Sequence, residues 1–343
     1  MRLVPGLLAI ALLSSACSRE EAPPVPDATE DLPLAVYAAM PRARVQSVLD
    51  AYTAETGKEV QLHSAVRELS LGHDNVVGSL PGADLFLLPS LTELWYLAES
   101  DEFRPTFSDV LESHIPSDLR DPESRWTTLA TSARFVVYNS ELVRADELGD
   151  VNDYAALGEE RWHGKLCLSS STVSGNLTLV AFLIRKYDLR EAEIAVRRWR
   201  ANLATSVFSV DADLIDAIST GQCAIGIAGS NALAVHIEAN AGSPVAFHEF
   251  ADPAEVVVDA SGGGVSRHAH NPEDAADLLV WLTMNAPNAL YAAQSHEFPA
   301  NDASSAIPGI DPWRRTVSNP TPLSDLAFLH DEAVLLVQRA KYP

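Results

Sequence analysis

Two groups of polar side chains follow predicted strands, where they could bind a solute. Ser170, Ser171 and Thr172 form a hydroxyl run that would open a helix, and free N–H groups at a helix N-terminus favour negative charge. Ser230 and Asn231 follow a second predicted strand, and ligands of open α/β sheets bind outside the carboxyl ends of the strands. These positions predict a cleft that binds an anion. Serines that only cap a helix are the alternative interpretation.

Motifs that would indicate an enzyme are missing from the sequence. It contains no G-x-S-x-G elbow, no G-x-x-x-x-G-K-[ST] loop and no H-E-x-x-H pair. His268 and His270 stand two residues apart in a predicted loop. Histidines with this spacing in a loop are more often solvated than bound to a metal. The triple glycine at 262–264 is more simply explained by a chain crossing than by a phosphate cradle. We therefore expect a binding protein with no catalytic residues, no metal centre and no cofactor.

The elements that must position these side chains alternate between strand and helix. Short apolar runs bounded by turn residues predict strands, and apolar residues at helical spacing predict the helices between them. This alternation predicts an α/β fold with mostly parallel sheets flanked by helices. The strand-like runs lie at 34–38, 59–63, 83–88, 134–138, 165–168 and 223–228.

The composition excludes one class of partner. The chain has 343 residues, of which 47 are acidic and 24 basic, giving a formal charge of −23. A surface of this sign repels nucleic acids over most of its area. The hydrophobic content of 47% is typical of a globular protein, so we expect a folded protein that does not bind nucleic acid.

The first residues are typical of an export signal. Arg2 precedes an apolar run at 3–13 and then Ser-Ser-Ala-Cys at 14–17, the pattern of a secretory signal that is too short for a permanent membrane span. Cys17 after these small residues resembles a bacterial lipobox, in which the thiol is acylated. We expect a signal peptide over 1–16, a lipidated Cys17 at the start of a disordered tether over 17–31, and a periplasmic protein anchored to the inner or outer membrane; Ser18 would permit the outer. A plain signal peptide with an incidental cysteine is the alternative.

Two cysteines remain after Cys17. Cys167 and Cys223 form an even pair in a chain that is expected to be exported, where oxidation is permitted. A disulfide between them and two buried thiols are both open at this point.

Several landmarks occur in the order of a known family. This order resembles that of the ferric-iron-binding periplasmic proteins of ABC importers, which are type II periplasmic binding proteins with two α/β lobes and a ligand cleft between them. The landmarks include LAVY at 34–37, GADLF at 82–86, ARFVVYN at 133–139, WHGKLC at 162–167, GQCAI at 221–225 and EFP at 297–299.

The resemblance implies an organisation and a set of partners. Lobe 1 would comprise 32–131 plus 248–295, and lobe 2 would comprise 132–247 plus 296–343. The permease subunits of an ABC importer would be partners of a monomeric binding protein. In one branch of the family, cysteines at the positions of Cys167 and Cys223 are paired, which favours the disulfide.

The iron ligands of the family are missing here. Family members hold Fe(III) mainly with tyrosine phenolates, whereas Tyr37 stands at a strand position that the family does not use as a ligand. At the family's ligand positions the chain has Pro41, Arg42, Gly175, Asn231 and Ala232.

The remaining side chains suit an anion. Arg134 occupies the place of a family arginine that faces the cleft, and Arg42 replaces a phenol. Two guanidinium groups beside a helix N-terminus bind a carboxylate or an oxyanion well. We therefore expect a small anionic solute or an anionic metal chelate as the ligand, bound by these arginines with Tyr37, the hydroxyl run at 170–172, Ser230 and Asn231.

Four alternatives remain open. Arg42 could point to solvent. The protein could bind and take up ferric iron with atypical ligands. It could serve as a sensor or assembly partner without a transporter, or it could be a hydrolase that uses one of the cleft serines.

Overall fold

The structure, a computed structural model, describes residues 32–65, 82–173, 175–317 and 321–343. The predicted signal peptide, Cys17 and the tether lie outside the described residues. None of the described helices has the length and apolar composition that a membrane-crossing helix requires.

The described strands form one mixed sheet in the order β2-β1-β3-β8-β4-β6-β5, and β7 and β9 also pair with β4. The pairs β1–β2, β1–β3 and β5–β6 are parallel, whereas the pairs that involve β4 or β8 are antiparallel. The α/β class predicted from the sequence is confirmed. The strands are β1 (Leu34–Ala38), β2 (Val60–Ser64), β3 (Leu85–Leu88), β4 (Thr127–Asn139), β5 (Leu166–Cys167), β6 (Ile225–Gly229), β7 (Val245–His248), β8 (Val257–Val265) and β9 (Phe298–Pro299).

The helices pack on the sheet through apolar faces. Local sequence sets several of their ends: the Ser90 hydroxyl accepts a hydrogen bond from the Glu93 N–H at the start of α2, and Gly57, with φ of 74°, ends α1. The α-helices are α1 (Gln46–Thr56), α2 (Leu91–Glu99), α3 (Asp109–His114), α4 (Asn176–Tyr187), α5 (Leu189–Ala201), α6 (Asp211–Ser219), α7 (Ser230–Ala239), α8 (Pro272–Leu282), α9 (Asn285–Ala293), α10 (Leu323–Ala327) and α11 (His330–Ala340).

The triple glycine lies inside strand β8. Gly262 and Gly263 pair with β3 on one side and with β4 on the other. A Cβ atom on Gly262 would lie 2.2 Å from the Thr127 carbonyl oxygen, and one on Gly263 would lie 2.6 Å from the Phe86 carbonyl oxygen. Glycine is therefore required because three strands approach closely where β8 crosses the sheet.

The hydrophobic core falls into two clusters. One surrounds β1, α1 and α8 and includes Val36, Leu49 and Leu278. The other surrounds β4, β6 and α4 and includes Val136 and Leu183. The lobe boundaries expected from the sequence stay a prediction.

A disulfide joins Cys167 at the end of β5 to Cys223 just before β6. Both residues are buried, and their Cα atoms lie 5.9 Å apart. The sequence separation of 56 residues gives a stabilisation of about 4 kcal/mol on the loop-entropy estimate. The bond fixes the short strand β5, which leads directly into the serine run.

Candidate functional site

Arg134 lies in the middle of β4 and is paired with a carboxylate. The residue is only 2% exposed. Its Nη1 lies 2.5 Å from Asp211 Oδ2, and its Nη2 lies 3.3 Å from Asp211 Oδ1. Burial alone would lower the pKa of Arg134, but attraction and hydrogen bonding to Asp211 outweigh it, so the pKa is raised. The guanidinium therefore stays charged, and its charge is met inside the protein.

Asp211 binds donors from three parts of the chain. Besides Arg134, its carboxylate accepts hydrogen bonds from the Gly229 N–H at 2.8 Å and from the Ser169 hydroxyl. Asp211 is also the first residue of α6, where the helix dipole favours negative charge. The Asp211 carboxylate thus occupies the place beside Arg134 where the sequence predicts an anionic ligand.

Two phenols complete the surroundings of this ion pair. The Tyr342 hydroxyl donates to the Ser169 carbonyl oxygen at 2.7 Å, and the Tyr154 hydroxyl donates to the Arg134 carbonyl oxygen at 2.5 Å. Burial raises the pKa of both phenols. They are therefore neutral hydrogen-bond donors to the backbone, and not the phenolates that would hold a ferric ion.

The serine run does not open a helix, so that expectation was wrong. Helix α4 begins only at Asn176. The run makes its own turn: the Ser170 hydroxyl accepts from the Thr172 N–H at 3.3 Å. The Ser171 N–H donates to the Pro343 carbonyl oxygen at 2.6 Å, and the Asn176 amide donates to the Ser170 carbonyl oxygen at 2.7 Å. Residues Ser170 and Thr172 are partly exposed, and their hydroxyl oxygens lie 3.0 Å apart, within hydrogen-bond distance of each other.

Ser230 and Asn231 begin α7 but differ in their surroundings. Ser230 is fully buried, and its hydroxyl accepts a hydrogen bond from the Ala133 N–H at 3.0 Å, which ties α7 to β4. Asn231 is partly exposed. Its Oδ1 lies 2.5 Å from the position of a Cβ on Gly229, and Arg134 Nη1 lies 3.5 Å from the same point. The structure therefore brings Asn231 close to Arg134.

Tyr37 is the last residue but one of β1, and Arg42 follows the end of that strand. Arg42 is exposed, with Nη1 donating to Gln46 Oε1 at 2.7 Å and Nη2 donating to the Leu62 carbonyl oxygen at 2.8 Å. Tyr37 is buried and packs edge-on against Phe86, with ring centroids 5.8 Å apart. Arg42 thus presents its charge at the surface, whereas Tyr37 belongs to the core.

Gly175 shows why a tyrosine at this position does not fit the surroundings that this chain provides. Its φ is 84°, a conformation that side chains disfavour. A Cβ there would lie 2.9 Å from Arg134 Cδ and 3.4 Å from Asp259 Oδ2. Replacing Gly175 would therefore require both a strained backbone and movement of Arg134.

Two acidic residues at this site escaped the sequence reasoning. Asp211 pairs with Arg134, and Asp259 Oδ1 accepts from the Leu91 N–H at 3.1 Å and from the Thr178 hydroxyl at 2.9 Å. The sequence offered a signal only for Asp259, which interrupts the apolar run at 256–260. A carboxylate in a buried strand needs hydrogen-bond donors, so such an acid indicates a polar site. In the described residues, no three His, Cys, Asp or Glu side chains lie close enough together to hold a metal ion.

We predict that Asp211→Asn lowers the free energy of unfolding by about 3 kcal/mol, because it leaves the Arg134 charge buried without its counter-charge. Denaturant unfolding of the purified protein measures this loss. The matched control is Asp146→Asn, which breaks an ion pair with Arg144 whose side chains are 79% and 68% exposed, and it should change stability little. Equal effects of the two substitutions would show that the buried pair has no special role.

Comparison with known proteins gives the family. Residues 48–320 match the profile of the bacterial extracellular solute-binding proteins. Iron uptake protein A1 of Synechocystis is 28% identical over 296 residues, which cover 84% of this chain and 81% of the relative. The major ferric iron-binding protein of Neisseria meningitidis serogroup B is 23% identical over 281 residues, which cover 78% of this chain and 81% of the relative.

Solved structures agree with this assignment. The Trichodesmium protein IdiA (FutA), in complex with iron and citrate, superimposes with a TM-score of 0.79 at 26% identity and covers 90% of this chain and 99% of its own. The apo ferric ion-binding protein A of Pasteurella haemolytica has the same fold, with a TM-score of 0.79, 24% identity and coverage of 90% and 98%. The resemblance to ferric-iron-binding periplasmic proteins and the type II fold class are confirmed. The chain belongs to the family of bacterial extracellular solute-binding proteins.

Proposed function

We propose that this protein is a periplasmic solute-binding lipoprotein that captures an anionic metal chelate, or a small anionic solute, and delivers it to the permease subunits of an ABC importer. The observation that carries the proposal is the absence of tyrosine from every position where the family holds iron with a phenolate. Those positions have Arg42, Gly175, Asn231 and Ala232, and Pro41 stands where the family has the histidine that precedes one of these tyrosines.

The chemistry of the ferric ion explains why this absence matters. A hard trivalent ion needs several anionic oxygen ligands, and the buried phenols of Tyr154 and Tyr342 are committed to backbone carbonyl oxygens. A chelate brings its own oxygen ligands, so the protein needs only to donate hydrogen bonds to the outer carboxylates. The Trichodesmium relative was solved with iron and citrate, which supports a chelate of this class.

The charges around Arg134 favour a chelate over a simple anion. Two buried carboxylates, Asp211 and Asp259, lie close to this one guanidinium. A free polycarboxylate there would meet a net negative charge with its full negative charge, whereas in a chelate the metal neutralises part of that charge. Arg134 would then position Asp211 and Asn231, and Arg42 would supply the exposed positive charge.

The donors proposed for the ligand belong to residues that are exposed or partly exposed. They are Arg42, Asn231, Ser170 and Thr172. Uptake of ferric iron with atypical ligands, and a role as a sensor or assembly partner, remain the alternative functions.

We predict that chelator-stripped protein binds Fe(III)-citrate at least 10-fold more tightly than citrate alone. Arg42→Ala should weaken binding of the chelate by roughly 10-fold or more, because it removes a charge-assisted hydrogen bond. Isothermal titration calorimetry measures both values. Arg144→Ala, which changes an exposed arginine in a different ion pair, is the control and should bind as the wild type does.

Tight binding of ferric ion supplied from nitrilotriacetate, unchanged by Arg42→Ala, would instead support iron binding with atypical ligands. Failure of all three iron and citrate probes to bind would contradict the chelate proposal.

We predict that Cys17→Ser releases the protein from the membrane fraction of a bacterial host. The acyl chains on the cysteine would supply the membrane affinity, so their loss leaves a soluble protein. Fractionation and an intact mass spectrum test this, with Ser18→Ala as a control that keeps the lipid mass. A wild-type protein with no added lipid mass would contradict the lipoprotein proposal.

A further inference from the structure

A second cluster of reactive side chains lies where α6, α7 and the turn before β7 meet. His236 Nδ1 lies 3.1 Å from Asp216 Oδ1, and His236 Nε2 lies 2.8 Å from the Ser243 hydroxyl oxygen. The imidazole thus bridges a carboxylate and a hydroxyl. This is the order of contacts by which a histidine activates a serine nucleophile.

The contacts indicate which nitrogen carries the proton. The Asp216 carboxylate can only accept a hydrogen bond, and its oxygen at 3.1 Å is closer to Nδ1 than the Asn240 amide nitrogen at 3.4 Å, which can only donate. The closer contact favours the tautomer with the proton on Nδ1. Nε2 then carries the lone pair and accepts the Ser243 hydroxyl proton. The ring is held in place because His236 is 8% exposed, and Asn240 Nδ2 donates to the His236 carbonyl oxygen at 3.0 Å.

The backbone around Ser243 is fixed on both sides. Gly242 has φ of 86°, a conformation that favours glycine. The Pro244 carbonyl oxygen accepts hydrogen bonds from both the N–H and the hydroxyl of Ser140, each at 2.9 Å. The turn therefore presents the serine hydroxyl to the imidazole in one orientation.

The Ser243 hydroxyl oxygen also accepts a hydrogen bond from the backbone. The Val245 N–H donates to it with an N···O distance of 3.3 Å, the contact of a local serine turn, so the hydroxyl proton can point at His236 Nε2. The cluster lies at the protein surface, because Ser243 is partly exposed and the Asp216 side chain is 70% exposed.

We propose that Ser243 and His236 form a catalytic centre that hydrolyses small activated acyl esters, with Asp216 as a positioning residue. The Ser243 oxygen bonds to the acyl carbon while its proton passes to His236 Nε2. The bond to the leaving alcohol breaks, and the alcohol takes that proton. Water then attacks the acyl-serine and gives its proton to Nε2, the carboxylic acid leaves, and the proton returns to Ser243.

This activity is independent of the solute-binding function proposed above. Ser243 is not part of the hydroxyl run at 170–172, and the three residues match no short motif because they come from two helices and a turn. Loss of the esterase would leave the chelate titration unaffected, and the reverse also holds.

The test combines a fluorophosphonate probe with hydrolysis of p-nitrophenyl acetate by the full-length purified protein. We expect a covalent adduct that peptide mass mapping places on Ser243, and no adduct in Ser243→Ala. His236→Ala should lower the rate of acetate hydrolysis on the order of 100-fold. Asp216→Asn should lower the rate without weakening substrate binding, since it disturbs only the tautomer.

Ser113→Ala is the matched control, since Ser113 is an exposed serine on α3. It should keep the wild-type labelling and rate, and circular dichroism of each variant checks the fold. The Ser219 hydroxyl oxygen lies 3.4 Å from that of Ser243 and is the neighbouring serine that a probe could label instead. An unlabelled wild-type protein, an adduct on another residue such as Ser219, or a His236→Ala variant with the wild-type rate would each overturn the proposal.

Discussion

The buried ion pair of Arg134 and Asp211 is the interaction on which the candidate site depends. Removing one partner of such a pair leaves an uncompensated charge in a medium of low dielectric constant, which costs far more than an exposed pair contributes. Asp211 also accepts from Ser169 and from the Gly229 N–H. The pair therefore joins strand β4, the segment after β5, the end of β6 and the start of α6.

This pair also accounts for the altered chemistry of the site. Gly175 lies against Arg134 in a backbone conformation that disfavours side chains, so a tyrosine there would collide with the ion pair. The nearby Asp259 adds a second buried carboxylate. The candidate site therefore offers the internally neutralised guanidinium of Arg134, neutral donors and the exposed charge of Arg42, whereas the family that the chain resembles offers phenolates. These surroundings are better matched to an already chelated metal than to a free ferric ion.

The α/β class was predictable from the sequence, because apolar runs such as 134–138 and 223–228 fall largely within strands β4 and β6. The antiparallel pairing of β4 with β6, β7, β8 and β9 was not, because alternation of strands and helices predicts parallel neighbours. The number of cysteines alone did not decide between a disulfide and two buried thiols. The family resemblance favoured the disulfide, which the structure contains. The partnership of Arg134 with Asp211 was not predictable, because the two residues lie 77 apart in sequence and an acid at a helix start is ordinary. The serine run was assigned to a helix start, but Gly175 delays the helix by several residues. The contact between His236 and Ser243 likewise depends on a turn that no single-sequence motif marks.

The central claim is that this chain gives a bound metal no phenolate ligand. Visible absorption spectroscopy of the purified protein saturated with Fe(III)-citrate tests it most directly, because iron-bound phenolates produce an intense charge-transfer band in the visible region. We predict that this band is absent from the wild-type complex, while the iron stays with the protein on gel filtration. A strong phenolate band in the wild-type complex would contradict it.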